Sequence, residues 1–138
     1  VVGSLTAALS AWGIGALLGA SRESLMSLAP KSVTTPIAMG VAERIGGLPS
    51  LTAVLVISTG IIGAVFGRSL YQRLHVIQDH AVRGFAIGIA SHGIGTARAF
   101  QVSEQAGAFA ALAMGLNGLL TAVSLPWIMP WVERLFAR

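Results

Sequence analysis

Three stretches of this chain carry no charged side chain: Val1–Ser21, Ile45–Gly67 and Gln105–Val132. A helix needs about 20 predominantly apolar residues to cross the hydrocarbon core of a bilayer, and each stretch is that long. Charged residues make up only 10% of the chain, against about 25% in an ordinary soluble domain. A soluble domain of this size cannot cover its surface with so little charge. The reading is an all-α, polytopic helical membrane protein with three full spans, and one membrane domain fills residues 1–138.

The basic residues fit that reading. Arg22, Lys31, Arg44, Arg68, Arg73, Arg83, Arg98, Arg134 and Arg138 are scattered at segment ends, where they flank a bilayer. A net charge of +4 could also serve a nucleic acid, but these residues form no block, so no nucleic-acid partner is expected. The absence of cysteine excludes disulfides and thiolate metal sites. The three histidines match no metal spacing and no carboxylate supports them, so neither metal nor cofactor is expected. Serines and threonines are plentiful, but no nucleophile–base–acid set appears, and the chain does not read as an enzyme. It opens on Val inside an apolar run, which reads as a fragment or a processed chain, and with no basic segment before that run it does not read as a signal peptide.

Two short polar interruptions break the apolar pattern: Ser32-Val33-Thr34-Thr35-Pro36 and Ser91-His92-Gly93-Ile94-Gly95-Thr96. Each lies in an apolar stretch too short to cross as a plain helix. Irregular polar backbone is tolerated at membrane depth only when buried in protein or lining a wet cavity. Paired interruptions of this kind point to a transporter's binding site. Each is read as a broken or re-entrant helix, followed by a half-helix over Ile37–Ile45 or Ala97–Gln105.

Between them the chain punctuates itself. Gly13, Gly15 and Gly19 give the first segment a small-residue face; without a preceding strand they are packing glycines and not a dinucleotide loop. Gly60, Gly63 and Gly67 mark a second such face. The connector Arg68–Arg83 is polar, and its His75 and His80 read as solvated. Pro126 and Pro130 are expected to bend or tighten the last segment. Trp127 and Trp131, four residues apart, read as an interfacial pair.

Residues 29–47 laid on 90–108 give six identities: Ala29/Ala90, Thr35/Thr96, Ala38/Ala99, Val41/Val102, Glu43/Glu104 and Gly46/Gly107. In both copies the match covers a polar break, a half-helix, a Glu and a glycine before a long span. An internal repeat is expected, with 29–70 as its first copy and 90–136 as its second. Re-entrant breaks would make the copies inverted, while crossing broken helices would make them parallel. The sequence leaves both open.

Certain strings carry a resemblance. Pro30-Lys31-Ser32-Val33-Thr34-Thr35-Pro36-Ile37-Ala38-Met39, Ala90-Ser91-His92-Gly93-Ile94-Gly95-Thr96-Ala97-Arg98-Ala99, and Gly107-Ala108-Phe109 through Leu112-Ala113-Met114-Gly115-Leu116-Asn117-Gly118 to Thr121 are similar to those of the LrgB/CidB membrane proteins. The resemblance covers essentially the whole chain, as the C-terminal part of a longer family member. It implies two functions. One is transport of small monocarboxylates, since plant relatives resemble the plastid glycolate/glycerate translocator and bacterial members are linked to pyruvate. The other is holin/antiholin-like modulation of murein hydrolase activity and autolysis through membrane permeability. It also implies a bacterial inner-membrane, multi-pass location, and as partners a small organic anion, a small LrgA/CidA-type membrane protein and further copies of the chain.

For an anion, the interruptions supply the candidate contacts: Ser32, Thr34, Thr35, Ser91, His92, Gly93, Gly95, Thr96 and Arg98. Half-helix N-termini present unpaired N–H groups and a positive dipole end. Thr34, Thr35 and Thr96 sit where such N-termini would begin, as caps or as carboxylate contacts. Arg98 suits bidentate carboxylate recognition; alternatively it pairs with Glu43. His92 either touches substrate or a proton, or holds backbone. Lys31, Glu43, Glu104 and Asn117 are secondary candidates: Lys31 for substrate or snorkelling, the two acids for proton coupling or helix-end pairing, Asn117 for an interhelical hydrogen bond or the cavity.

Overall fold

The computed structural model describes residues 1–74 and 79–136, which form six helices and no strand. They are α1 (Val2–Leu17), α2 (Arg22–Leu28), α3 (Thr35–Ile45), α4 (Pro49–Arg73), α5 (His80–Phe100) and α6 (Glu104–Phe136). His75 falls outside the described residues.

Two helices among the described residues, α4 and α6, are long and apolar enough to cross a membrane. The charge-free runs Ile45–Gly67 and Gln105–Val132 fall on these two helices, and the first run falls on the apolar helix α1. Gly19 adopts φ +75° and the Ala20 N–H turns back to the Gly15 carbonyl. That ends α1 at Leu17. The apolar side chains of α4 face outward: Val54, Ile57, Ile61, Ile62, Val65 and Phe66 are exposed. A core helix of a soluble protein would bury them; a lipid-facing helix leaves them outside.

The first interruption folds the chain into a helical hairpin. Ser21 caps α2 by accepting from the Ser24 N–H. The chain then turns through residues 29–34, where the Lys31 and Val33 N–H groups bond the Leu28 and Pro30 carbonyls. Pro36 lies in the first turn of α3, where a missing N–H is harmless. Gly46, at φ +82°, ends α3, and the Gly47 N–H returns to Ala42. That exit lies beside α2: a Cβ on Gly46 would sit 3.1 Å from Arg22 Nη1, and the Leu48 N–H donates to Ser27 Oγ at 2.8 Å. Thr52 Oγ1, in the first turn of α4, donates to the Ser27 carbonyl.

The second interruption is a single residue. His92 has φ 42° and ψ −133° inside α5, a conformation that L-residues with a Cβ rarely adopt. The helix folds back there. A Cβ on Gly95 would lie 2.9 Å from the Ile87 carbonyl oxygen, eight positions earlier, where a straight helix would separate them by about 12 Å. His80, the first residue of α5, shares a 2.9 Å hydrogen bond with Ser103 Oγ, just past its end. His80 is therefore engaged in the fold and not simply solvated. The returning arm covers 93–100, so the expected half-helix over Ala97–Gln105 is displaced toward the N-terminus by the position of the fold-back.

α4 joins the two hairpins. Its 25 residues carry the chain about 37 Å, from the Ser27–Thr52 contact near its start to Tyr71 near its end. There the Tyr71 hydroxyl donates to the Arg83 carbonyl. The hairpins therefore open at opposite ends of α4 and their tips point toward each other. α6 runs beside both. Gly84 and Gly88 of the outgoing arm meet the backbone of Ala106 and Ala110 so closely that a Cβ on either would overlap a carbonyl, the close approach that small residues permit between membrane helices. Further along, Leu125 and Met129 join Trp12, Met26, Val41 and Ile45 in the core around the first hairpin. Glu133 closes the far end with an ion pair to Arg22 at 2.5 Å.

Residues aligned by the repeat do not all hold equivalent places. Gly46 is the left-handed cap of α3, whereas Gly107 lies inside α6 against the Phe100 ring.

Candidate functional site

The two hairpin tips meet at one side chain. Asn117, 2% exposed in mid-α6, donates its amide to the Ser32 carbonyl at 2.8 Å and to the Ile89 carbonyl at 3.2 Å. Ser32 belongs to the first tip. Ile89 lies four residues before Gly93, so its carbonyl faces the fold-back at His92. A buried carbonyl without a donor costs roughly 1–3 kcal/mol, and Asn117 serves one from each tip. The expectation of an interhelical hydrogen bond at Asn117 holds, with backbone as its partner. Its Oδ1 is buried without a partner among the described residues, and so is Ser91 Oγ.

The second tip seats itself on α4. His92 Nε2 lies 2.9 Å from the Val56 carbonyl. A carbonyl only accepts, so Nε2 carries the proton, and a neutral ring then keeps Nδ1 as its acceptor. The ring fits because residue 60 has no side chain: a Cβ on Gly60 would lie 2.7 Å from His92 Cε1. One turn along, Gly63 makes the same room for Ser91, whose hydroxyl would overlap a Cβ there. Gly95 packs on Ser91 and Ile87, and Gly93 is exposed beside Met114.

At the first tip Ser32 is buried and its hydroxyl accepts from Lys31 Nζ at 3.2 Å. Thr34 is the N-cap residue of α3 by its extended backbone, and its hydroxyl makes no capping bond. Thr34 and Thr35 are both half-buried. Val33, Ala38 and Val56 pack beneath them, which sets this tip at the same level of α4 as the ring of His92.

Three expectations are corrected. Thr96 does not begin a helix. It lies within the returning arm and donates to the His92 carbonyl at 2.8 Å, with Met114 Sδ at 3.8 Å, because the fold-back comes four residues earlier. Arg98 is not at the tips. It lies near the end of the returning arm, at the open end of the second hairpin, and donates to Gln101 Oε1 at 2.7 Å. It therefore has no ion pair with Glu43, which lies near the end of α3 at the opposite open end. Glu43 and Glu104 are both exposed at helix ends, so neither acid faces the tips.

The sequence reading missed the partners on α4. Val56 offers only a backbone carbonyl, which no sequence pattern marks. Gly60 and Gly63 were visible as a small-residue face, but what they face depends on the fold-back. Arg68 and Arg83, connector residues by sequence, line a cavity with Arg98.

The chain matches the LrgB-like family over residues 1–131. It is 38% identical over 131 residues to the uncharacterised protein YwbG of Bacillus subtilis, covering 95% of this chain and 58% of that protein. It is 34% identical over 128 residues to an uncharacterised protein of Haemophilus influenzae, covering 93% and 55%. It is 32% identical over 110 residues to the holin-like protein CidB of Staphylococcus epidermidis, covering 80% and 48%. The chain spans about half the length of these relatives. No solved structure matches it. The chain belongs to the LrgB-like family of membrane proteins.

Proposed function

We propose that this LrgB-like chain supplies the binding half of a multi-pass inner-membrane transporter for small monocarboxylates of the glycolate, glycerate or pyruvate type. The observation that carries this reading is the shared hydrogen bonding of Asn117 to Ser32 and Ile89, which joins two oppositely directed hairpin tips. Such hairpins are re-entrant in a bilayer, and with one span after each they form inverted repeats over 29–70 and 90–136. Non-helical backbone at that depth belongs around a protected polar cavity. The anion lies against the start of α3, where the amides and the uncommitted Thr34 hydroxyl face it, with Ser32 and Thr35 beside them. Lys31 balances its charge. Asn117 Oδ1 and Ser91 Oγ, both lacking a partner among the described residues, receive its hydroxyl group or a bound water. His92 acts by holding the second tip on α4. This role is non-enzymatic and uses no cofactor.

The holin-like name of the CidB relative supports a second, holin/antiholin-like reading, for which the family resemblance implies modulation of murein hydrolase activity through membrane permeability. A small LrgA/CidA-type protein and further copies of the chain are its natural partners, and the exposed apolar face of α4 suits such assembly. The hairpins favour the first reading, because a simple oligomeric pore has no need of them.

Uptake of labelled glycolate and pyruvate into proteoliposomes bearing the full-length protein separates the two. Saturable uptake that falls at least tenfold in Thr34→Val supports transport. A non-saturable leak shared by unrelated solutes supports the modulator and contradicts the transporter.

A further inference from the structure

A second polar site lies at the open end of the α5 hairpin, away from the tips. A cavity of about 390 Å³ is lined by Arg68, Arg83 and Arg98 together with Tyr71, Gln101 and apolar residues. No Asp or Glu is among the described lining residues. The three arginines come from three different stretches. Arg68 lies on α4, one turn before Tyr71. Arg83 begins the outgoing arm of α5 and Arg98 ends the returning one. Only the fold-back at His92 brings the last two together.

The site is held in shape. The Arg83 guanidinium lies 5.6 Å over the Tyr71 ring, whose hydroxyl bonds the Arg83 carbonyl. Gln101 fixes Arg98 through the 2.7 Å bond. Three like charges that share one cavity wall at the edge of a low-dielectric layer repel one another. Arginine forks match the tetrahedral oxygens of a phosphate group. Basic pockets between membrane helices at the headgroup level bind phospholipid headgroups, and Tyr71 is an interfacial residue type. The cavity is larger than a phosphate ion and mixes apolar with basic walls, as an ester of phosphate requires.

We propose that this cavity binds a phosphate ester, with Arg68, Arg83 and Arg98 as its ligands. The proposal does not depend on what the tips bind. An acidic phospholipid headgroup and a soluble organic phosphate share this chemistry, and the test distinguishes them. Full-length protein is placed in phosphatidylcholine nanodiscs, with phosphatidylglycerol mixed into the lipid in one arm and glycerol 3-phosphate added to the solution in the other. Thermal unfolding is followed in each, for the parent protein and for Arg68→Gln, Arg98→Gln and Arg44→Gln. Arg68 and Arg98 are exposed, so their loss does not empty the core. Arg44 is an exposed arginine at the opposite end of the fold.

The expected result is stabilisation by at least one probe, with apparent affinity roughly tenfold weaker in Arg68→Gln and in Arg98→Gln and unchanged in Arg44→Gln. A response to phosphatidylglycerol alone identifies the lipid as the source; a response to glycerol 3-phosphate identifies a soluble ester. The proposal is overturned if neither probe stabilises the protein, if both site variants keep the full response, or if Arg44→Gln loses as much as they do.

Discussion

The Asn117 amide donates to the Ser32 carbonyl at 2.8 Å across 85 positions of sequence. With its second bond to Ile89, it makes one side chain in α6 the fastening of both hairpin tips. Asn117→Asp keeps the shape but replaces two N–H donors with a group that donates at most one hydrogen bond when protonated and none when ionised, so at least one of the two carbonyls loses its donor. The expected loss is roughly 2–4 kcal/mol of stability, read as a lower unfolding temperature in detergent. Asn117→Ala should lose a similar amount.

His92 offers a comparison in which two variants lose the same hydrogen bond. Both His92→Ala and His92→Gly remove the ring from the Val56 carbonyl. Only glycine adopts φ 42°, ψ −133° without strain, which otherwise costs of order 1–3 kcal/mol. His92→Gly should therefore be the more stable of the two by roughly 1 kcal/mol. Equilibrium unfolding in mixed micelles checks the order, and alanine above glycine would contradict the fold-back conformation.

Gly60 and Gly63 are needed for contact, whereas Gly115 is not. A Cβ on Gly60 meets the His92 ring and one on Gly63 overlaps the Ser91 hydroxyl, while one on Gly115 meets nothing within 4 Å. Gly60→Ala and Gly63→Ala should each lose roughly 1–3 kcal/mol through overpacking. Gly115→Ala should gain up to about 1 kcal/mol from helix propensity. Unfolding temperatures of the three variants measured side by side provide the check.

The absence of cysteine makes cross-linking clean. A His80→Cys, Ser103→Cys pair replaces two side chains already in hydrogen-bond contact. It should form a disulfide under mild oxidation. An Arg44→Cys, Gln101→Cys pair, at opposite ends of the fold, should not form one within a single chain. Mobility on a denaturing gel, with and without reductant, reads the result.

What the sequence made legible follows from what side chains and lengths can encode. The charge-free runs Ile45–Gly67 and Gln105–Val132 found the long apolar helices, because burial in lipid is a property of composition. The polar strings found Ser32 and His92, because irregular backbone must be bought with Gly, Ser, Thr and Pro. Direction was not legible. A helix that turns back at one residue and one that continues have the same composition, and the difference lies in a single φ at His92. The displacements of Thr96 and Arg98 follow from that residue. Thr96 falls inside the returning arm instead of at its start, and Arg98 is carried to the open end beside Arg68 and Arg83. Glu43 and Glu104, aligned by the repeat, lie at opposite ends. The His92–Val56 bond was hidden because its acceptor is backbone.

The account rests on hairpins that enter from opposite sides and meet between them. Single cysteines at Arg44 and Gln101, both exposed at the open ends of the first and second hairpin, test this most directly. Sealed vesicles of known orientation are treated with a membrane-impermeant thiol reagent, added outside or trapped inside. The account predicts that each position labels from one side only, and that the two sides differ. Labelling of both cysteines from the same side would contradict it.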